Sequence, residues 1–167
     1  MSVTERTMLT FDVGANRFNY RVAAIALRHG HILVCREDDD DYTMLPGGRV
    51  EMGEPSPVAL AREIAEELHS KASNVALVYT VENFFERTGQ QFHELATYYR
   101  VELPEAFPFV EAGVVFETED EGHRLRFEWV DVSGNDLDRV NLLPAWIREK
   151  LRELPPSPQH LIMRETP

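Results

Sequence analysis

"GRVEMGEPSPVALAREIAEELHS", Gly48 to Ser70, carries the strongest structural instruction in the chain. Gly48 and Gly53, with Pro46 and Gly47 just ahead, punctuate its first part, so the backbone is bent before any helix can start. Ser56 then reads as an N-cap with Pro57 at the first helical position, where proline's missing N–H and preset φ cost nothing. A helix is predicted from there to about residue 69. Leu60, Ile64 and Leu68 make its apolar stripe, while Glu63, Glu66 and Glu67 stand at i, i+3 and i+4 and converge on a neighbouring patch. That patch is unfavourable by itself, because like charges at i,i+4 repel and the helix dipole favours cations near its C-terminus. Arg62 relieves only part of this, since arginine N-terminal to glutamate is the poorer orientation. A hard divalent cation accounts for the arrangement, because carboxylate oxygens are its preferred ligands and it neutralises all three together.

On the N-terminal side, "YRVAAIALRHGHILVCRE" predicts two strands, about 20–28 and 31–36, meeting at a turn around His29 and Gly30. "EDDDDYT" reads as an acidic loop leading into the bent "MLPGG". On the C-terminal side, "NVALVYTVENFFER" and "QFHELATYYRVEL" are rich in β-branched and aromatic residues and predict a second hairpin around Thr88 and Gly89. "RLRFEWVDV" is a further strand after the acidic loop "ETEDEG", and "LPAWIREKLREL" is a closing amphipathic helix that stops before Pro155 and Pro156. Residues 156–167 read as a short tail. With no internal linker, the strands and the two helices are expected to share one core in a single α+β domain, residues 1–167, with its core at about 8–155.

Composition narrows the partners. At 167 residues and 43% hydrophobic, the chain suits one domain. Its 29 acidic against 17 basic residues, a formal net charge of −12, argue against long nucleic acid as a partner. A bound divalent ion reverses the local sign, so a small anionic substrate stays compatible with the acidity. The lone Cys35 lies in an apolar run, rules out an intrachain disulfide and fits a reducing compartment. The start "MSVTERTMLT" has no apolar signal core, and "VAAIAL" from Val22 to Leu27 is too short to span a bilayer. The expectation is a cytoplasmic protein without a membrane partner.

"GRVEMGEPSPVALAREIAEE" resembles, position for position, the box of the MutT-like Nudix hydrolases: a glycine, five residues, a glutamate, seven residues, then Arg-Glu-aliphatic-any-Glu-Glu. Here these are Gly48, Glu54, Arg62, Glu63, Ile64, Glu66 and Glu67. "LPGG" before the box, strands on both sides and "EW" in a late strand are similar as well, over about residues 8–155. Past Glu67 the family usually has any residue, a glycine and an aliphatic, where this chain has Leu68, His69 and Ser70. His69 is therefore expected to take φ > 0 at some cost as the helix stops, and Ser70 gives up an apolar contact.

The resemblance implies an α/β/α sandwich with a mixed sheet between helices, and Mg²⁺- or Mn²⁺-dependent hydrolysis of the diphosphate bond in a nucleoside diphosphate linked to another moiety. Glu63, Glu66 and Glu67 would hold the ions, with a backbone carbonyl near Gly47 or Gly48. Arg62 and Glu54 would fix those carboxylates. Gly47, Gly48, Arg49 and Tyr42 would lie against the substrate. The general base stays open among Glu66, Glu67, Glu94 and the acidic run Glu117, Glu119, Asp120 and Glu121. Tyr42, Phe84, Phe85, Tyr98 and Trp129 are candidates either to stack on a base or to fill the core. The implied partner is a small nucleotide or nucleotide sugar, and a homodimer is common among such proteins. Two other readings compete: a non-catalytic nucleotide sensor on the same scaffold, and an acidic helix that merely binds Ca²⁺. The second lacks the Asp-rich loop with a terminal bidentate glutamate.

Overall fold

Alternation along one long strand sets the layers of the molecule. The computed structural model describes residues 6–165, so the first five residues of the polar start and the last two of the expected tail lie outside it. The chain opens with β1 (Thr10–Val13) and β2 (Asn16–Arg28), followed by β3 (His31–Glu37), β4 (Thr43–Met44) and β5 (Gly47–Arg49). Helix α1 (Ser56–Leu68) precedes the hairpin of β6 (Ser73–Arg87) and β7 (Gln90–Glu102), then β8 (Val114–Asp120) and β9 (His123–Asp131). The chain closes with α2 (Asp136–Arg139), β10 (Leu142–Leu143), α3 (Ile147–Lys150) and β11 (Gln159–Arg164).

Strand β2 runs parallel to β7 from Asn16↔Gln91 to Ala26↔Val101 and antiparallel to β1 and β5. Strand β3 leaves β2 after two pairs, Leu27↔Ile32 and Arg28↔His31, and turns to run antiparallel to β9. The mixed sheet therefore divides into two wings joined at the His29–Gly30 turn, where both residues have positive φ. Val22, Ala24 and Ala26 face α1 and pack with Leu60, Ile64 and Leu68, whereas Ala23 and Ile25 face the opposite side with Leu137, Val140, Ile147 and Leu151. Side chains of period two thus supply a core to each face of the sheet, giving the α/β/α sandwich. Among the described residues, no helix is long and apolar enough to cross a membrane.

Both expected hairpins form, with turns at His29–Gly30 and Thr88–Gly89. Four local expectations are corrected. The helix is capped by Pro55, not Ser56: the Pro55 carbonyl accepts from the Val58 and Ala59 N–H groups, and the Ser56 hydroxyl is hydrogen-bonded to Tyr99 Oη at 2.7 Å. The acidic "ETEDEG" is mostly the strand β8, which pairs with β9 so that only Glu121 and Gly122 form the turn. The closing amphipathic helix shrinks to the single turn α3, because its arginines reach across to backbone. Arg148 donates to the Leu142 carbonyl at 2.7 Å, and Arg152 donates to the carbonyls of Val132 and Gly134. The tail contains β11, which adds to the sheet in parallel with β6 from Gln159↔Tyr79 to Arg164↔Phe84.

Candidate active site

Strand β5 runs beneath α1, and its glycines set how closely the two approach. A Cβ on Gly48 would fall 2.4 Å from the Glu63 carboxyl, and one on Gly47 would fall 2.1 Å from the Val22 carbonyl oxygen. Glu63 is therefore laid directly on bare backbone. The Gly47 N–H donates to Glu67 Oε2 at 3.3 Å, tying the last turn of the helix to the same strand. Arg62 organises the remainder: it donates to both oxygens of Glu54 at 2.8 and 2.9 Å, to Glu63 Oε1 at 2.7 Å and to the Arg49 carbonyl at 3.1 Å. Glu54 is itself held by the Glu51 N–H at 3.1 Å, and the Arg62 guanidinium keeps its carboxyl below the usual carboxylate range. Such a fork–fork pair fixes orientation in a way that a single ammonium contact cannot. Glu66 is more open, meeting Arg6 at 3.1 Å and Arg62 at 3.4 Å.

These carboxylates are short of positive charge. Glu63 and Glu67 are only 7% and 8% exposed, and burial raises the pKa of both above the ordinary glutamate value. Glu67 moves the more, with the neighbouring charge of Glu63 adding to the burial, while Arg62 opposes the shift of Glu63. Glu63, Glu66 and Glu67 line a cavity of about 270 Å³ together with Gly47, Gly48 and Arg49. An all-oxygen donor set, two buried carboxylates with surplus proton affinity and a glycine cradle fit a hard divalent cation. The three glutamates do not close on one point. Among the described residues, the group whose ligand atoms all lie within 4.8 Å of one another is Glu37, Asp38 and His123, all exposed, and of these only Glu37 lines the cavity. There His123 Nδ1 is 2.7 Å from Asp38, which raises the imidazole pKa and lowers that of the carboxyl.

The NUDIX domain family matches residues 17–149, which span the helix, both glycines and most of the sheet. The chain belongs to the Nudix family. The MutT protein of Bacillus halodurans has a similar structure, with a TM-score of 0.61 at 16% identity over 89% of this chain and 91% of that one. A MutT NUDIX hydrolase from Burkholderia pseudomallei gives 0.60 at 22% identity over 81% and 98%. An ADP-ribose pyrophosphatase from Streptococcus suis gives 0.51 at 13% identity over 86% and 98%. These likenesses show the fold. No curated protein matches the sequence. As a Nudix hydrolase, the chain is an enzyme acting on phosphorus-containing anhydrides, a reaction that the family generally carries out with a divalent metal.

The other candidates of this Nudix hydrolase fall in different places. Of the acidic run, Asp120 and Glu121 line the glutamate cavity, and Glu117 and Glu119 do not. Glu94 is buried on β7 and lines a second cavity of about 450 Å³ that does not include the helix glutamates. Burial raises its pKa, against the pull of Arg21 and Arg49. Tyr42 and Arg49 line both cavities, as do Arg21 and Met44. Phe85 lines the second cavity, Tyr98 and Trp129 are buried in the core, and Phe84 stacks on His93. Cys35 is half-buried and burial pushes its thiol up, so it is packed and not activated. Sequence reasoning missed Arg21, since its register beside Gly48 and Arg49 arises only when β2 pairs with β5.

Proposed function

We propose that this Nudix hydrolase cleaves the diphosphate bond of a small nucleoside diphosphate derivative by attack of water on phosphorus. Glu63, Glu66, Glu67 and the Gly48 carbonyl would hold Mg²⁺ or Mn²⁺. When bound, the ion supplies neutralisation of the diphosphate and activation of the attacking water. The observation that carries this reading is the pair of adjoining cavities, one acid-lined and one lined by Tyr42, Phe85 and Phe92, with Arg21 and Arg49 on the boundary of both. Those two guanidiniums face the place where the phosphates of a ligand spanning both cavities would lie. Arg62, locked on Glu54, keeps Glu63 turned to the cavity. Glu67, buried and anchored by the Gly47 N–H, is the group assigned to take the proton of the attacking water. The whole chain would act as a single domain in the cytoplasm, where Cys35 stays a thiol.

The non-catalytic sensor is the weaker reading, because every carboxylate of the box is present and the three on the helix, Glu63, Glu66 and Glu67, face the same cavity. The test is turnover with Mg²⁺ across nucleoside triphosphates, ADP-ribose, other nucleotide sugars and dinucleoside polyphosphates, scored by the phosphate-containing product. Glu66→Gln and Glu67→Gln should each lower turnover by about 100-fold or more. Equal turnover in both variants and the unaltered enzyme removes the assignment.

A further inference from the structure

Half of one sheet face is left without a cover. By alternation, Phe18 and Tyr20 share the face of Val22, Ala24 and Ala26, the face on which α1 sits. Yet α1 packs on β2, β5 and β8, so towards the Thr88–Gly89 turn the same face of β7, β6 and β11 has no helix on it. Strand register draws an aromatic row across this part. Phe11, Phe18, His93, Phe84 and Arg164 are cross-strand neighbours on β1, β2, β7, β6 and β11. Phe11 stacks on Phe18 at 5.2 Å, Phe18 meets His93 edge-on at 5.6 Å, His93 stacks on Phe84 at 4.5 Å, and the Arg164 guanidinium lies over Phe84 at 4.4 Å. The next row inward is Tyr20, Leu95, Glu82 and Ile162, and the next outward is Val13, Asn16, Gln91 and Glu86. Phe11 is 55% exposed, Val13 66% and Ile162 60%, so large apolar side chains stand in water at both edges of the platform. Single exposed apolar residues are ordinary, but a contiguous patch marks a contact surface.

Size and charge point to the occupant. Five strands about 4.8 Å apart and three rows about 6.7 Å apart give a patch of about 24 by 20 Å, close to about 500 Å² in projection. With side-chain relief and a rim, two such patches laid together reach roughly the 1,200 Å² at which specific interfaces begin. The fixed charges on the patch are Glu82, Glu86 and Arg164, two negative and one positive, in a chain whose net charge is −12. Two copies therefore meet here without the repulsion that the rest of the surface imposes. One arginine is too little cation to hold a nucleic acid. The glutamates are too little anion to draw a basic partner, since Glu82 is 2.9 Å from His160 and Glu86 accepts from Gln91 at 2.8 Å. Strand order supplies the symmetry, because β7 is the middle strand of β1-β2-β7-β6-β11. A two-fold axis along β7 lays Phe84 on Phe18 of the second copy and Arg164 on its Phe11, whereas an axis along the aromatic row would set Arg164 against itself. We infer that two copies of this chain pair through this face, sheet on sheet, about an axis along β7. The two sheets then stack about 10 Å apart with their strands aligned, as in a β-sandwich.

The test is analytical sedimentation of the full chain between about 5 and 500 μM, the range that suits an interface of this size. The mass should rise from one chain to two. Phe11→Lys sets an ammonium opposite Arg164 of the second copy, and Ile162→Asp sets a carboxylate among its apolar side chains, so each should weaken association by about tenfold or more. Val110→Asp, at a comparably exposed apolar residue in the loop after β7, should leave association unchanged. Phe11 and Ile162 are surface residues, so both variants should melt close to the unaltered protein and report association in place of folding. The axis has its own readout. Gln91 is exposed at the rim of β7, so in Gln91→Cys a short bis-maleimide should join two chains covalently, while the unaltered protein, whose Cys35 is half-buried, should stay uncoupled. The inference is overturned by a chain that is monomeric at about 500 μM, which would leave the face to a different protein, or by a dimer that survives both Phe11→Lys and Ile162→Asp. A dimer that fails to couple through Gln91→Cys overturns the axis along β7. No readout needs turnover, so the pairing stands or falls apart from the reading of the acid-lined cavity.

Discussion

Gly47 and Gly48 are adjacent and fail differently when a methyl group is added. At Gly48 the added Cβ meets the end of the Glu63 side chain, which can swing away, so Gly48→Ala should stay folded. The displaced carboxylate should cost about 10- to 100-fold in metal affinity, read from the Mg²⁺ dependence of turnover. At Gly47 the Cβ meets the Val22 carbonyl and Ala23 Cα, which belong to the central strand, so Gly47→Ala should lower the melting temperature outright. Glu67 makes a second prediction, concerning pH. Its unfolded value is near 4.5 and burial raises the folded value well above that, so between the two the folded chain binds the extra proton. Stability from this group therefore grows as pH falls towards the unfolded value and is lost as pH rises through the folded one. Metal-free protein should melt higher at about pH 5 than at about pH 8, and Glu67→Gln should flatten that slope. Glu63, Glu94 and the exposed His123 have the same sign, so the difference between variant and unaltered protein reports Glu67 together with its repulsion of Glu63, and the slope that remains belongs to the other groups. A slope unchanged by Glu67→Gln would show that its carboxyl is not strained by burial.

Helix α1 ends as the sequence suggests, with His69 at φ 48 and ψ 38 in the left-handed region. The residue is not idle there: its ring lies edge-on to Phe116 at 5.6 Å, and Nε2 is 3.3 Å from Thr118 Oγ1, so it joins the helix to β8. Strain and contact then oppose each other. His69→Ala keeps the strain and loses the contact, and should destabilise by about 1 kcal/mol, which is about 2–4 °C in melting temperature. His69→Gly loses the contact but removes the strain, and should melt above the alanine variant. An alanine variant as stable as the glycine one would mean that the backbone cost is negligible. The helix and both hairpins were legible because their signals are local: a 3.6 period with prolines at the start, and β-rich runs on either side of short turns. The one-turn α3 was not, since its amphipathic pattern is real but Arg148 and Arg152 are drawn onto carbonyls of neighbouring segments.

Contacts between distant elements were the least legible part of the molecule. Residues 47–67 announce the acid-lined cavity because its chemistry is contiguous, whereas Asn19, Asn83 and Glu94 meet only after β2 pairs in parallel with β7 and β7 with β6. No period in the chain reports a parallel pairing between strands separated by a helix and a hairpin. Strand β11 was hidden in the same way, behind "PPSP", although Leu161 and Met163 alternate correctly for one buried face. Its removal gives a prediction about the assembled sheet. Ending the chain after Pro155 would expose the edge of β6, release Leu161 and Met163 from the core, and take away Arg164, whose guanidinium lies over Phe84 at 4.4 Å. Half-burial of two such side chains corresponds to about 2–3 kcal/mol, so the urea midpoint should fall and the open edge should favour aggregation. The Mg²⁺ dependence of turnover should not change, because α1 and β5 are at the opposite side of β2 from β11. Loss of the metal response together with the strand would instead mean that the sheet transmits its edge to the glutamates, and that the two cavities are not independent.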